Sequence, residues 1–248
     1  PLDTVVALKY EGSSMLLEKA GLSYSFHRPL VLNQLFPTRG FARGGTDVTL
    51  SGTGFLDLDS LICRFGEMTV PARYLSANAV ECSSPSVEDN DSFPSGKREV
   101  RLSVSLNGLD FSEAGVFSYD EEVELQSIQP PHVPVASNWT ERHLALIGSN
   151  FVDTAVAFCH FENTRTPAVF VSQSEIRCDR PASPRVGKQK VRMSYNGVDT
   201  SNDFALLGIM ERAVISDIRP RKVQEGAEVE LFVKGTNFLY TPDLRCHF

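Results

Sequence analysis

GTGFLDLDSLICRFG, residues 52–66, opens on Gly-x-Gly, sets Phe55 directly after it and reaches a cysteine, Cys63, eight positions later. Alone, the stretch fits a phosphate loop, half of a metal site or plain scaffold. The rest of the chain decides between them. GSNFVDTAVAFCHF begins at Gly148 and GTNFLYTPDLRCHF at Gly235. In each copy a phenylalanine (Phe55, Phe151, Phe238) precedes a cysteine (Cys63, Cys159, Cys246) by eight positions. A second phenylalanine (Phe65, Phe161, Phe248) follows two later. A spacing that returns three times is an internal repeat, and a repeat is settled before any motif within it is read as chemistry.

Working outward, each copy is led by a short apolar piece ending in proline: NQLFPTRG (Pro37), QSIQPPHV (Pro130) and SDIRPRKV (Pro220). Alternating residues follow: Val48 and Leu50, Leu144 and Leu146, then Val229, Leu231 and Val233. A period of two marks a strand with one face on a core and one in water. In the Cys-x-Phe strand, cysteine and phenylalanine share a face, and Arg64, His160 or His247 points to a solvated one. SANAVECSSPS and SQSEIRCDRPAS then supply Cys82 and Cys178, and two further alternating strands lead into Asn107–Gly108 and Asn196–Gly197, a strong hairpin signal. About seven short strands per copy, with turn signals every 8–12 residues, predict an all-β chain of tandem immunoglobulin-like sandwiches. SSMLLEKAGL (13–22) reads as a hairpin loop, since nothing else in the chain has helical periodicity.

VVALKYEG and GLSYSF match VRLSVSLNG and GVFSY, so residues 1–28 read as the closing hairpin of a preceding unit. Residues 29–122 and 123–210 form two full units, and 211–248 the N-terminal part of a following one. The second unit closes on Phe204-Ala205-Leu206, set against Phe117-Ser118-Tyr119. A half-sandwich leaves an apolar face and strand edges open, so the expectation is a window of a longer tandem array. The alternative is that successive copies complete each other's half-units. Only residues 120–123 separate Tyr119 from Glu124-Leu125, too few for a flexible coil of any reach, and the array is expected to be rod-like.

A proline-led first strand, G-x-G-F or G-x-N-F, C-x-F and then Cys82-Ser83-Ser84-Pro85 or Cys178-Asp179-Arg180-Pro181 resemble, in that order, the IPT/TIG immunoglobulin-like domain. The resemblance covers essentially the whole chain as two full and two partial units. It implies plexin-type or fibrocystin-type extracellular arrays, or the dimerisation domains of intracellular transcription factors. The cysteines separate these branches. Cys63 and Cys82 lie nineteen positions apart, as do Cys159 and Cys178, and equal spacing in two otherwise different units argues for a disulfide in each. Buried free thiols are the alternative; zinc is disfavoured because no C-x-x-C occurs and the histidines are scattered. Cys246 is the odd one, unpaired within its own copy. Disulfides imply an oxidising compartment, hence an extracellular or cell-surface protein. Two sequons fit that placement, Asn138-Trp139-Thr140 and Asn90-Asp91-Ser92, as acceptors of N-linked glycan.

Catalytic chemistry is not visible. GTGFLDLD lacks the third glycine of a dinucleotide loop and precedes a strand where a phosphate site needs a helix N-terminus. Neither a G-x-S-x-G elbow nor H-E-x-x-H occurs. Asp57 and Asp59, or Glu88 to Asp91, are calcium candidates, but only Asp153 repeats Asp57 and Tyr240 replaces it in the third copy. No catalytic, metal or cofactor residue is therefore assigned. A net charge of −7 disfavours nucleic acid, and no apolar run approaches the ~20 residues of a membrane span. The expected function is non-catalytic: an extracellular structural or adhesive protein such as a stalk, matrix component or filament subunit, with protein partners that include copies of itself. The alternative is the stalk of a ligand-binding receptor ectodomain, and a DNA-binding factor is a distant third.

Overall fold

The structure is a computed structural model that describes residues 2–9, 16–87, 98–135, 143–182, 185–240 and 244–246, with side chains described from residue 27 onward apart from Arg98. Among these residues every regular element is a strand. The chain divides into two compact units, Pro1–Glu121 and Glu122–Phe248.

The first unit begins with an antiparallel hairpin of β1 (Leu2–Lys9) and β2 (Leu16–Phe26). LLEKAGL therefore lies in a strand, where a loop was expected. Eight strands follow: β3 (Val31–Phe36), β4 (Arg39–Phe41), β5 (Asp47–Thr53), β6 (Ile62–Phe65), β7 (Met68–Ser76), β8 (Ala79–Ser83), β9 (Arg98–Ser105) and β10 (Ser112–Asp120). They are hydrogen-bonded in the order β3-β5-β8-β7-β6-β9-β10-β4. The order folds into two layers because β7 changes partner midway. Met68 to Pro71 pair with β6, and from Ala72 the strand pairs with β8. At the corner the Ala72 amide donates to the Leu61 carbonyl at 3.0 Å.

Alternation then fills the space between the layers. Val48 and Leu50 of β5, Val80 of β8, Phe65 of β6, Leu102 and Val104 of β9 and Phe117 of β10 are all fully buried. Each such side chain contributes about 1.5–3 kcal/mol by leaving water. Phe65, Phe117 and Tyr119 stack edge to face with centroids 5.4 and 5.1 Å apart, a preferred geometry for aromatic quadrupoles.

The eighth strand comes from the leading proline. Pro37 has no amide to give a ladder, and the Phe36–Pro37 peptide is cis. The strand before it, β3, pairs antiparallel with β5 in one layer. The piece after it, β4, pairs parallel with β10 in the other. Arg39 on β4 grips Asp120 on β10 side-on, with Nε 3.0 Å from one carboxylate oxygen and Nη2 3.2 Å from the other.

The second unit repeats this architecture with β11 (Glu124–Gln129), β12 (His132–Pro134), β13 (His143–Ser149), β14 (Phe158–Phe161), β15 (Thr164–Ser172), β16 (Glu175–Asp179), β17 (Gly187–Ser194) and β18 (Ala205–Met210), in the equivalent strand order. β15 changes partner between Pro167 and Ala168 as β7 does at Pro71. The parallel pairing of β12 with β18 sets Leu207 and Ile209 where the first unit has Phe117 and Tyr119. The closing strand thus lies later than Phe204-Ala205-Leu206 suggested.

The third copy contributes an antiparallel pair, β19 (Val214–Arg219) and β20 (Phe232–Thr236). Val229 precedes that strand and is exposed, against the expected alternation. Ile218 is 41% exposed, whereas its equivalents Leu35 and Ile128 are 8% and 3%.

Candidate functional site

The recurring Gly-x-x-Phe turn resolves into three separate physical demands. A Cβ on Gly52 would stand 2.2 Å from the Val31 carbonyl oxygen, on Gly148 2.0 Å from that of Glu124, and on Gly235 2.1 Å from that of Val214. The first glycine is needed because the leading strand passes too close for any side chain. The third position has left-handed backbone in every copy: Gly54 at φ 93°, Asn150 at 64° and Asn237 at 59°. Glycine and asparagine are the residues that tolerate it. The phenylalanine plugs the end of the core, with Phe55 1% and Phe151 2% exposed. Leu56 and Val152 beside them are half-buried. The opening stretch is scaffold, not a ligand loop.

The cysteines lie inside. Cys63 on β6 is joined to Cys82 on β8 with Cα atoms 6.3 Å apart, and Cys159 on β14 to Cys178 on β16 at 5.8 Å. Each bond ties one layer to the other, and all four residues are at most 1% exposed. Met193 Sδ packs 3.7 Å from Cys159 Sγ, a soft contact that fills the space beside the bond. Cys246 is unbonded and exposed. Asn90, Asn138, His247 and Phe248 lie outside the described residues, as do Glu88 to Asp91.

Arg64 and His160 lie on the face turned away from the core, as the alternation predicts, but that face is partly covered. Both are half-buried. The Arg64 guanidinium lies 3.8 Å from the centre of the Phe111 ring, a cation–π contact. Burial, with the nearby Arg165 charge, lowers the pKa of His160. Burial likewise lowers that of Arg180 and raises that of Tyr119. Arg221 and Arg219 hold the half-buried Asp217 carboxyl below its usual range. These perturbed groups sit on separate strands and loops, and each has a structural cause. Asp57, Asp59 and Asp153 are exposed, and among the described residues no three His, Cys, Asp or Glu side chains are grouped to hold a metal ion. An open cleft of about 580 Å³ in the second unit is lined by Pro130, Pro134, Met210, Phe238, Leu239 and Leu244 among others. Its walls are mostly apolar.

Two arrangements were hidden in the sequence beside motifs that were visible. The Asn-Gly pairs do not form two-residue turns. β9 ends at Ser105 and β10 starts at Ser112, and in the second unit the gap runs from Ser194 to Ala205. Each loop is closed by side chains instead. Asn107 Oδ1 accepts from the amides of Leu109 and Asp110, its Nδ2 donates to Asp110, and Ser105 Oγ accepts from Gly108, all at 2.9 Å. Asn196, Asp199 and Ser194 repeat every one of these bonds. The motif is Ser-x-Asn-Gly-x-Asp, of which only the centre reads as a turn. The second arrangement is the side chain of Asn150, whose Nδ2 donates to the Glu122 carbonyl at 2.9 Å; Asn237 donates to that of Arg212 at 3.1 Å.

The family model of the IPT/TIG domain matches residues 30–119 and again 124–206. The chain belongs to the IPT/TIG family. Its two complete IPT/TIG units are the eight-stranded, crosslinked sandwiches described above. No curated protein matches the chain. Among solved structures it is similar to a plexin A4 extracellular region of domains 1 to 10, at 17% identity and TM-score 0.48, over 86% of this chain and 18% of that one. A second plexin A4 extracellular region, of domains 1 to 8, matches at 16% and 0.42, over 80% and 20%. The Bacteroides ovatus protein SGBP-B, in complex with a mixed-linkage heptasaccharide, matches at 12% and 0.29, over 72% and 47%. The chain thus spans about a fifth of the length of the plexin A4 regions it resembles.

Proposed function

We propose that this chain is a non-catalytic, structural or adhesive segment of an extracellular tandem IPT/TIG array, carrying N-linked glycan at Asn138 and Asn90 and binding other proteins, copies of itself included. The observation that carries the reading is the pair of interlayer disulfides at equivalent positions of both complete units. Such bonds form and persist in oxidising compartments. The repeated features also serve the scaffold: Gly-x-x-Phe closes the sandwich end, the cysteines lock the layers, and the asparagine loops satisfy their own backbone. The array reading is supported by the third copy, whose Phe238 is 43% exposed where Phe55 and Phe151 are buried.

Peptide mapping of protein from its native source, without reduction and with and without glycosidase, tests the placement. Cys63–Cys82 and Cys159–Cys178 peptides, together with a mass shift on the Asn138 peptide, are expected. Free thiols at all four positions would overturn the extracellular reading. Sedimentation equilibrium tests self-association, and a concentration-independent monomer up to the solubility limit would remove copies of the chain from the partners.

A further inference from the structure

We infer that the third residue of the G-x-[G/N]-F turn sets how firmly the chain entering each sandwich is held. The turn and the entering segment meet in all three copies, since Val31, Glu124 and Val214 are paired with Thr53, Ser149 and Thr236. Two residues before each of those strand starts lies Pro29, Glu122 or Arg212. When the turn residue is asparagine, its left-handed backbone aims the amide at that residue's carbonyl. Asn150 reaches Glu122 and Asn237 reaches Arg212. In the first complete unit the residue is Gly54, which has no amide to offer. The space for one is there, with φ 93° against 64° and 59° at the asparagines, for a Cβ built on Gly54 lies 3.6 Å from both the Pro29 carbonyl oxygen and Leu30 Cδ2 and meets nothing nearer.

The second unit reinforces its grip on this segment. The Asn202 amide donates to Glu122 Oε1 at 2.6 Å, and the Leu125 amide donates to Asp203 Oδ2 at 2.8 Å. On the outgoing side, the first unit holds Asp120 through Arg39 and through the Ala42 amide, which donates to the Asp120 carbonyl at 2.7 Å. One residue, Glu121, separates these two points of attachment. The segment before Gly54 lacks the corresponding asparagine clasp. A unit with asparagine at the turn therefore takes up its incoming chain as part of its own body. A unit with glycine leaves that chain freer.

Two exchanges at this position test the inference in opposite directions, using hydrogen–deuterium exchange on the full chain. Asn150→Gly keeps the left-handed backbone, as Gly54 shows, and deletes only the amide. Exchange in a peptide spanning 121–126 should accelerate about threefold to tenfold, the worth of one ordinary hydrogen bond. Asn150→Asp, similar in shape but unable to donate when ionised, should accelerate it as well. Gly54→Asn should slow exchange in a peptide spanning 28–33 by a comparable factor. Unchanged exchange in either the 121–126 peptide of Asn150→Gly or the 28–33 peptide of Gly54→Asn overturns the inference.

Discussion

Reducing the two disulfides should loosen both complete sandwiches by similar amounts, and the size follows from the structure. Each bond closes a loop with a sequence separation of 19. In the chain-entropy treatment a loop of that length restricts the unfolded chain by about 3 kcal/mol. The folded state adds to the loss. All four cysteines are buried to 1% or less, so two thiols must move apart to van der Waals distance inside a filled core, and such overpacking costs about 1 kcal/mol or more. The sum, about 3–5 kcal/mol, is a large share of a single domain's stability. At about 4–8 °C per kcal/mol for a domain of 60–100 residues, each sandwich should melt at least ~12 °C lower. Calorimetry of the full chain with and without a phosphine reductant measures this, once mass spectrometry shows that all four thiols are free. Shifts of less than about 3 °C for both units would refute the reasoning, because the crosslinks would then constrain nothing that the sheets do not already fix.

Phe151→Ala removes the plug of a complete core and should cost about 3–5 kcal/mol, whereas Phe238→Ala in the open third copy should cost well under half of that; denaturant melts of the two variants compare them directly. Gly148→Ala forces a Cβ into the Glu124 carbonyl and should destabilise the second unit by about 3 kcal/mol, read by the same melts. Tyr119 is 2% exposed and its hydroxyl has no hydrogen-bond partner among the described residues, so Tyr119→Phe should leave stability equal or higher by about 1 kcal/mol. Because burial raises the phenol's pKa above its ordinary 10.0, its contribution is whole below that pH. It is lost as the solution grows more alkaline, by up to about 1.4 kcal/mol per pH unit. Stability against denaturant measured from pH 9 to 11 should fall less steeply for the phenylalanine variant.

The features legible in the sequence were those that repeat with a fixed residue type. Alternation at Val48 and Leu50, or Leu144 and Leu146, gave the strands, because only a half-buried strand needs a period of two. The cysteine spacing gave the bonds that join β6 to β8 and β14 to β16. What escaped lacks a residue-type signature of its own. β4 and β12 are three residues long, too short for alternation to register, and their partner strands lie some eighty residues away. Arg64 looked solvent-facing because its ring partner, Phe111, sits in a different loop. The SSMLLEKAGL stretch carries no clean period, so only its pairing with β1 showed Leu16 onward to be a strand. In the turn, Gly54, Asn150 and Asn237 already announced a left-handed backbone. That the asparagine amide also reaches a carbonyl 28 residues earlier, at Glu122, required the fold.

The split first strand bears on how such a chain responds to tension. β4 lies parallel to β10, the leaving strand, while β3, before Pro37, carries the entering end and pairs antiparallel with β5 in the other layer. Once β3 has been released, a pull on the two ends slides β4 along β10, so the ladder bonds between them and the Arg39–Asp120 fork are strained together instead of opening one after another like a zipper. Behind that latch, the Cys63–Cys82 bond keeps the stretch between the two cysteines from being drawn out once the latch gives way, so the crosslinked centre of the unit is spared.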